Sequence, residues 1–275
     1  GRVGWAQRAV CKTEKGFPER LVDRSLPWPE RGRGERVSTS SRNRNVIGKK
    51  DEMELVSVKV LVIGGVAAGT KAAAKLKRED RGLDVALITK DQDISYAGCG
   101  LPYYVGGMIE SRDELIVNTP EKYAALTGVR VLTGREAVEL DSGKKLVTAK
   151  NLITGETEAY SYDRLVIATG ASSAVPPIEG VGLKGVFKMR TPDDAIRIRD
   201  YVEAERVKKA VVIGGGFIGL EVAENLLAQG VDVTVMDFAS QIMPNVLDPE
   251  MADYAQRHLR KQGVRVLTGT KAEKL

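Results

Sequence analysis

Two stretches of the chain share one hydrophobic pattern. From Val58 to Ile63 the residues are nearly all apolar, as in a strand buried on both faces. A small-residue run with lysines, Gly69 to about Lys77, reads as the helix that follows, and Leu83 to Thr89 as a second strand. Together they make a βαβ unit of the usual length, about 30 residues. The order returns 150 residues later, with a strand over Ala210–Ile213, a helix over Leu220–Gln229 and a strand over Val231–Met236. Between the two units, Thr119 before Pro120 marks a helix start and Val129–Leu132 a short strand. Alternation over Lys145–Lys150 and Glu156–Tyr160, with a Thr154-Gly155 turn, predicts an antiparallel excursion laid on a parallel sheet. Tyr162 to Ala171 reads as a further strand entering a small-residue turn, and Asp193–Glu205 as a helix. Met251–Lys261 and Val264–Leu267 add a helix and a strand. The pattern is that of an α/β protein with Rossmann-like units.

Each unit turns on glycine: Gly64-Gly65-Val66-Ala67-Ala68-Gly69 and Gly214-Gly215-Gly216-Phe217-Ile218-Gly219. A strand, a tight glycine turn and a helix start can hold a dinucleotide pyrophosphate. The turn brings backbone close, and free N–H groups at the helix start face the phosphates. The second copy fills all three glycine positions of this fingerprint. In the first, Val66 takes the middle position, and Gly65 is expected to move the sharp turn by one residue. The first unit ends its second strand at Thr89, followed by Lys90, with no ribose-binding acid there. The second unit ends at Asp237, 23 residues after Gly214. A carboxylate there accepts from the ribose 2′-hydroxyl of NAD and repels the 2′-phosphate of NADP. No Arg or Lys follows directly, so NADH is expected over NADPH. Two nucleotide sites in one chain imply electron transfer between two cofactors.

Charge divides the chain. Residues 1–50 hold 13 Lys or Arg against 5 Asp or Glu, and the remainder 29 against 32. The basic balance belongs to the leading segment, so nothing electrostatic supports nucleic-acid binding by the body. Residues 1–52 contain Pro18, Pro27, Pro29 and both tryptophans, Trp5 and Trp28, without a sustained period; they read as a disordered basic leader. One explanation is that Met53 is the true start. No apolar run is long enough to span a bilayer and no signal-peptide core is present, so a cytoplasmic chain with no membrane partner is expected. A single histidine, His258, in a polar helical run argues against a His-based metal site, and no metal is expected.

Cys99 lies in Ser95-Tyr96-Ala97-Gly98-Cys99-Gly100-Leu101-Pro102-Tyr103-Tyr104-Val105-Gly106-Gly107. A loop feeding a helix would put the sulfur near a helix start and favour the thiolate. No second cysteine stands at C-x-x-C spacing. Its disulfide partner is then a small molecule, another chain or the distant Cys11, or else it cycles through sulfenic acid. The structural alternative is a small buried apolar residue.

This stretch resembles the active-site segment of the coenzyme A-disulfide reductases. They belong to the single-cysteine branch of the flavin- and pyridine-nucleotide-dependent disulfide reductases, with NADH oxidases, NADH peroxidases and polysulfide reductases. The resemblance runs from about Lys59 onward. It implies FAD/NAD(P)-binding three-layer domains, the second nested in the first, with an FAD domain over residues 53–180 and an NAD domain over 181–275. It implies FAD at Gly64–Gly69 (with Gly65, Val66, Ala67 and Ala68), Thr89, Lys90, Ala137, Val138, Ala168, Thr169 and Gly170. It implies NADH at Gly214, Gly216, Phe217, Ile218, Gly219, Glu221 and Asp237. Cys99 would lie beside the flavin and form a mixed disulfide with coenzyme A, and Asn118 matches a position near that cysteine. Electrons would pass from NADH to FAD to a small disulfide, coenzyme A disulfide or polysulfide, at Cys99. Oxygen or peroxide is the alternative oxidant. Parts that the family carries beyond this point, including a dimerisation domain, are missing, so the chain reads as a C-terminally incomplete member of a homodimeric parent. An inactive fragment retaining only nucleotide turns is the rival from another class. A ferredoxin- or rubredoxin-type reductase would not need Cys99.

Overall fold

The computed structural model describes residues 54–275. The leader, with Cys11, Trp5, Trp28 and Met53, lies outside the described residues. The first unit opens with β1 (Glu54–Ile63), α1 (Ala67–Glu79) and β2 (Val85–Ile88). A 3₁₀ turn at Gly98–Gly100 carries Cys99 into α2 (Leu101–Val105), followed by α3 (Arg112–Leu115) and α4 (Pro120–Thr127). Then come β3 (Arg130–Leu132), β4 (Arg135–Asp141), β5 (Leu146–Asn151) and β6 (Thr157–Ile167). The six strands form one sheet in the order β3-β2-β1-β6-β5-β4. β3, β2, β1 and β6 run parallel, whereas β4 and β5 are antiparallel.

The sheet curls over itself. On one face Val60, Val62, Val85 and Leu87 pack against Ala73 of α1 and Tyr123 of α4. On the other, Leu61, Ile63, Ala86 and Ile88 share a core with Val147 and Ala149 of β5 and Tyr160 of β6. The result is three layers: helices, parallel sheet and antiparallel cover, as the alternation predicts. One expectation needs correction. The two strands read over Glu156–Tyr160 and from Tyr162 onward are a single strand, β6, because it pairs with β5 by its first half and with β1 along its whole length.

The second unit contains α5 (Pro192–Ala204), β7 (Lys209–Ile213), α6 (Phe217–Ala228), β8 (Asp232–Met236), α7 (Pro249–Lys261) and β9 (Arg265–Leu267). Its three parallel strands are ordered β7-β8-β9. Leu101, Tyr104 and Val105 of α2 belong to this unit's core, with Ala195 and Ile198 of α5 and Val222, Ala223 and Leu226 of α6. The helix after Cys99 therefore lies within the first unit in sequence, between β2 and β3, but is buried against the second.

Candidate active site

The two glycine turns are built alike, residue for residue. Gly64 and Gly214 both have φ +115°, a conformation that side chains disfavour. A Cβ on Gly69 would lie 1.8 Å from Gly64 O, and one on Gly219 would lie 2.0 Å from Gly214 O. Only glycine lets each helix start so close to its strand. A Cβ on Gly65 would meet Thr89 Cγ2 at 2.9 Å and Ile94 Cγ2 at 2.8 Å; on Gly215 it would meet Asp237 Oδ2 at 3.2 Å and Ile242 Cγ2 at 2.9 Å. Thr89 thus stands in the first unit where Asp237 stands in the second. Ser95 N–H donates to Gly65 O and Met243 N–H to Gly215 O, each from a residue with positive φ.

Two expectations change here. Gly65 does not move the sharp turn, which stays at Gly64 as at Gly214. Val66 at the middle position has φ −101°, so no left-handed backbone demands glycine there. Both helices also begin earlier than the hydrophobic pattern suggests, at Ala67 and Phe217, so Gly69 and Gly219 sit inside the first helical turn.

Helix capping separates these turns from the starts of α3, α4, α5 and α7; the five-residue α2 is uncapped as well. Thr119, Thr191 and Asp248 cap α4, α5 and α7 with their side chains, and Ser111 pairs with Glu114 at the start of α3. Each of those helices carries an acid in its first turn. α1 and α6 have neither a side-chain cap nor an acid there. Their first N–H groups are left to an anion, and Ala67, Ala68, Gly216, Phe217 and Ile218 leave the approach open to solvent. The glycine cradle and the uncapped N–H groups fit a pyrophosphate at both turns.

Around the first turn the chain closes in. Ala168 N–H donates to Ile63 O, and a Cβ on Gly64 would fall 2.1 Å from Ala168 O and 3.3 Å from Thr169 N. Gly170 has φ +69°, and Arg190 Nε donates to Ala171 O beside it. Thr89 is buried and Lys90 exposed. Ala137 packs against the core, while Val138, at the β-bulge between β4 and β5, is exposed.

Cys99 is exposed, which removes the buried-apolar alternative. Its segment is held by the loop ahead of α4: Ala97 N–H donates to Leu115 O and Val117 N–H to Ser95 O. Asn118 follows this bridged segment directly and is half-buried. In the second unit, Asp237 accepts from Gly215 N–H at 2.6 Å and Ala239 N–H at 2.7 Å. Glu221 is half-buried, one helical turn before Asn225, which packs under Gly106 at the end of α2; the two share a helix face. Among the described residues no cluster of His, Cys, Asp and Glu could hold a metal, and His258 is exposed on α7. No helix among them is long and apolar enough to cross a membrane.

A family model for pyridine nucleotide-disulphide oxidoreductases matches residues 58–275. The chain belongs to this family. It is 38% identical over 218 residues to an NADH oxidase of Methanocaldococcus jannaschii, covering 79% of this chain and 48% of that protein. It is 41% identical over 211 residues to a CoA-dependent NAD(P)H sulfur oxidoreductase of Pyrococcus abyssi, covering 76% and 46%. Among solved structures it is similar to an NAD-dependent persulfide reductase from A. fulgidus, with 41% identity and a TM-score of 0.76, over 79% of this chain and 41% of that one. The chain spans about half the length of the relatives it matches. Rossmann-like α/β architecture and the FAD- and NAD(P)H-binding character of the family agree with the two turns.

The sequence alone missed two residues at this site. Arg199 and Gln229 both reach α2 from the second unit. Each reads in sequence as an ordinary polar helix position, and no local signal marks it.

Proposed function

We propose that this chain carries the nucleotide and thiol machinery of an FAD-dependent NAD(P)H oxidoreductase that reduces a small disulfide, persulfide or polysulfide through Cys99. The observation that carries this reading is that two uncapped helix starts behind glycine turns, at α1 and α6, accompany one exposed cysteine. The first turn, with Ala168–Gly170 closing over Gly64, would hold the pyrophosphate of FAD. Thr89, Lys90, Ala137 and Val138 would lie along the rest of that nucleotide. The second turn would hold NADH, with Asp237 accepting from the ribose hydroxyl and disfavouring NADPH. When bound, FAD supplies two-electron chemistry between nicotinamide and sulfur.

The thiolate of Cys99 attacks one sulfur of the substrate disulfide. A mixed disulfide forms and one thiol leaves. Two electrons from NADH and a proton then cleave the mixed disulfide, which releases the second thiol and restores Cys99. Asn118 and Glu221 would serve as polar neighbours of the reacting groups. The names of the relatives point to sulfur compounds and to oxygen as oxidants. The parent protein would be a homodimer.

Purified chain with FAD should show the visible absorbance of bound flavin and be bleached anaerobically by NADH. Cys99→Ser should abolish reduction of coenzyme A disulfide and of polysulfide but spare NADH-to-dye transfer. Full disulfide reduction by the variant would refute the role of Cys99. Loss of dye transfer as well would show damage beyond the thiol. Oxygen consumption unaffected by Cys99→Ser, with no disulfide reduction in wild type, would favour an oxidase.

A further inference from the structure

The helix that follows Cys99 is fastened at its far end from the second unit. Arg199 lies on α5, 95 residues beyond Tyr104. Its Nη1 donates to Tyr104 O at 3.4 Å and to Ile109 O and Glu110 O at 3.1 Å each. Those carbonyls end α2 and the turn after it. The guanidinium also lies over the Tyr104 ring, with Cζ 4.9 Å from the centroid. Its Nε donates to Glu203 Oε1 at 3.0 Å, which fixes the plane of the fork. The Arg199 side chain is only 23% exposed. From the C-cap of α6, Gln229 donates to Gly106 O.

A helix of α2's length does not hold together alone. It stands because its apolar face is buried in the second unit's core and because its last carbonyls are answered from outside. A guanidinium suits that task. It is planar and always charged, stacks on a ring, and its N–H groups can serve several carbonyls. A cation at a helix C-terminus also complements the exposed carbonyl dipoles.

We propose that Arg199 is the positioning residue that ties the Cys99 helix to the second nucleotide unit, so that the thiol keeps a fixed place relative to the nicotinamide turn. This rests on the reading of Cys99 as the redox thiol. Arg199 acts through Tyr104 and the Ile109–Glu110 turn, not on the reacting atoms.

Hydrogen exchange on the whole chain, in wild type, Arg199→Met and Arg199→Lys, tests this. Losing charge-assisted hydrogen bonds should speed exchange of residues 101–110 about tenfold in Arg199→Met, with α1 and α4 within about twofold of wild type. Arg199→Lys should recover part of the protection, since Nζ stops one bond short of the Nη1 position and an ammonium has no planar face to stack on the ring. With FAD and NADH, disulfide reduction should fall about tenfold in Arg199→Met while NADH-to-dye transfer stays within about twofold. Unchanged exchange at residues 101–110, or equal acceleration throughout the chain, overturns the proposal. Should Arg199→Met not fold, Glu203→Ala removes the acceptor that orients Arg199 Nε and should show the same local pattern at about threefold; its absence overturns the proposal too. If wild type reduces no disulfide, the redox reading fails, and the exchange data still decide whether Arg199 holds α2.

Discussion

Asn225 occupies the space that a side chain on Gly106 would need. A Cβ there would lie 2.1 Å from Asn225 Oδ1 and 2.8 Å from Asn225 Cβ. Gly106 has φ −75°, so the backbone conformation does not demand glycine; the room does. The close approach brings the end of α2 within reach of Gln229. Gly106→Ala should force α2 away from α6 and cost about 1–3 kcal/mol, the range for overpacking, seen as a lower urea midpoint. Adding Asn225→Ala removes the Oδ1 conflict but not the Cβ conflict, so the double variant should recover only part. A Gly106→Ala chain as stable as wild type would show that the contact is loose.

Asp237 does two jobs that one substitution can separate. Its oxygens accept from Gly215 and Ala239 N–H. Each oxygen keeps a lone pair for a ribose hydroxyl. Asp237→Ala leaves both N–H groups without that partner and should cost about 1–3 kcal/mol of stability. It should also shrink the preference for NADH over NADPH by about tenfold, the value of one charge-assisted hydrogen bond. Asp237→Asn removes the charge but keeps one acceptor, so it should lose selectivity with less loss of stability. Calorimetric titration with each nucleotide reads the ratio; a ratio unchanged in both variants would rule Asp237 out as the selector.

The sheet strands and long helices were legible because their apolar periods are strong and local, as in Val60–Ile63 and Val211–Ile213. The glycine turns were legible because their constraint is steric and belongs to single residues. What sequence could not give was the placement of α2. Leu101, Tyr104 and Val105 announce burial, but their partners Ile198 and Leu226 lie about a hundred residues away, and pairing over that distance leaves no local trace. The same holds for Arg199, whose role exists only once α5 lies across the end of α2. Val66 departs from the glycine fingerprint in residue type, but its negative φ does not require glycine.

Glu158 should make the antiparallel cover sensitive to acid. Burial pushes its carboxyl up, but hydrogen bonds from Tyr160, Arg135 and Asn151, with the Arg135 charge, outweigh this and hold it below the usual range. Arg135 Nη2 lies 3.2 Å from its Oε1 and Asn151 Nδ2 at 3.1 Å. A carboxylate depressed in the folded state stabilises above its unfolded value, about 4.3, and that contribution is lost as pH falls through the folded value. Glu158→Gln should therefore destabilise the chain at pH 7 by on the order of 2 kcal/mol. The gap should close as pH drops below about 4. Thermal melts across pH check this, and a gap constant with pH would mean that ionisation of Glu158 contributes nothing.

Leu61 and Val211 hold equivalent places in the two units, one residue before Val62 and Val212, whose Cγ1 atoms lie 3.4 and 3.3 Å from where a Cβ on Gly69 and on Gly219 would stand. Their surroundings differ. Leu61 is 0% exposed and Val211 59%; Ile63 is 8% exposed and its counterpart Ile213 46%. In the first unit Val147, Ala149 and Tyr160 cover that face. In the second, nothing among the described residues does. Val211→Lys should therefore leave this chain folded, at a cost under about 1 kcal/mol in a urea melt. The same change at Leu61 puts an unpaired charge in a closed core and should cost more than about 3 kcal/mol. If Val211→Lys were as damaging as Leu61→Lys, the face would have to be covered in solution, and the contrast between the two units would be lost.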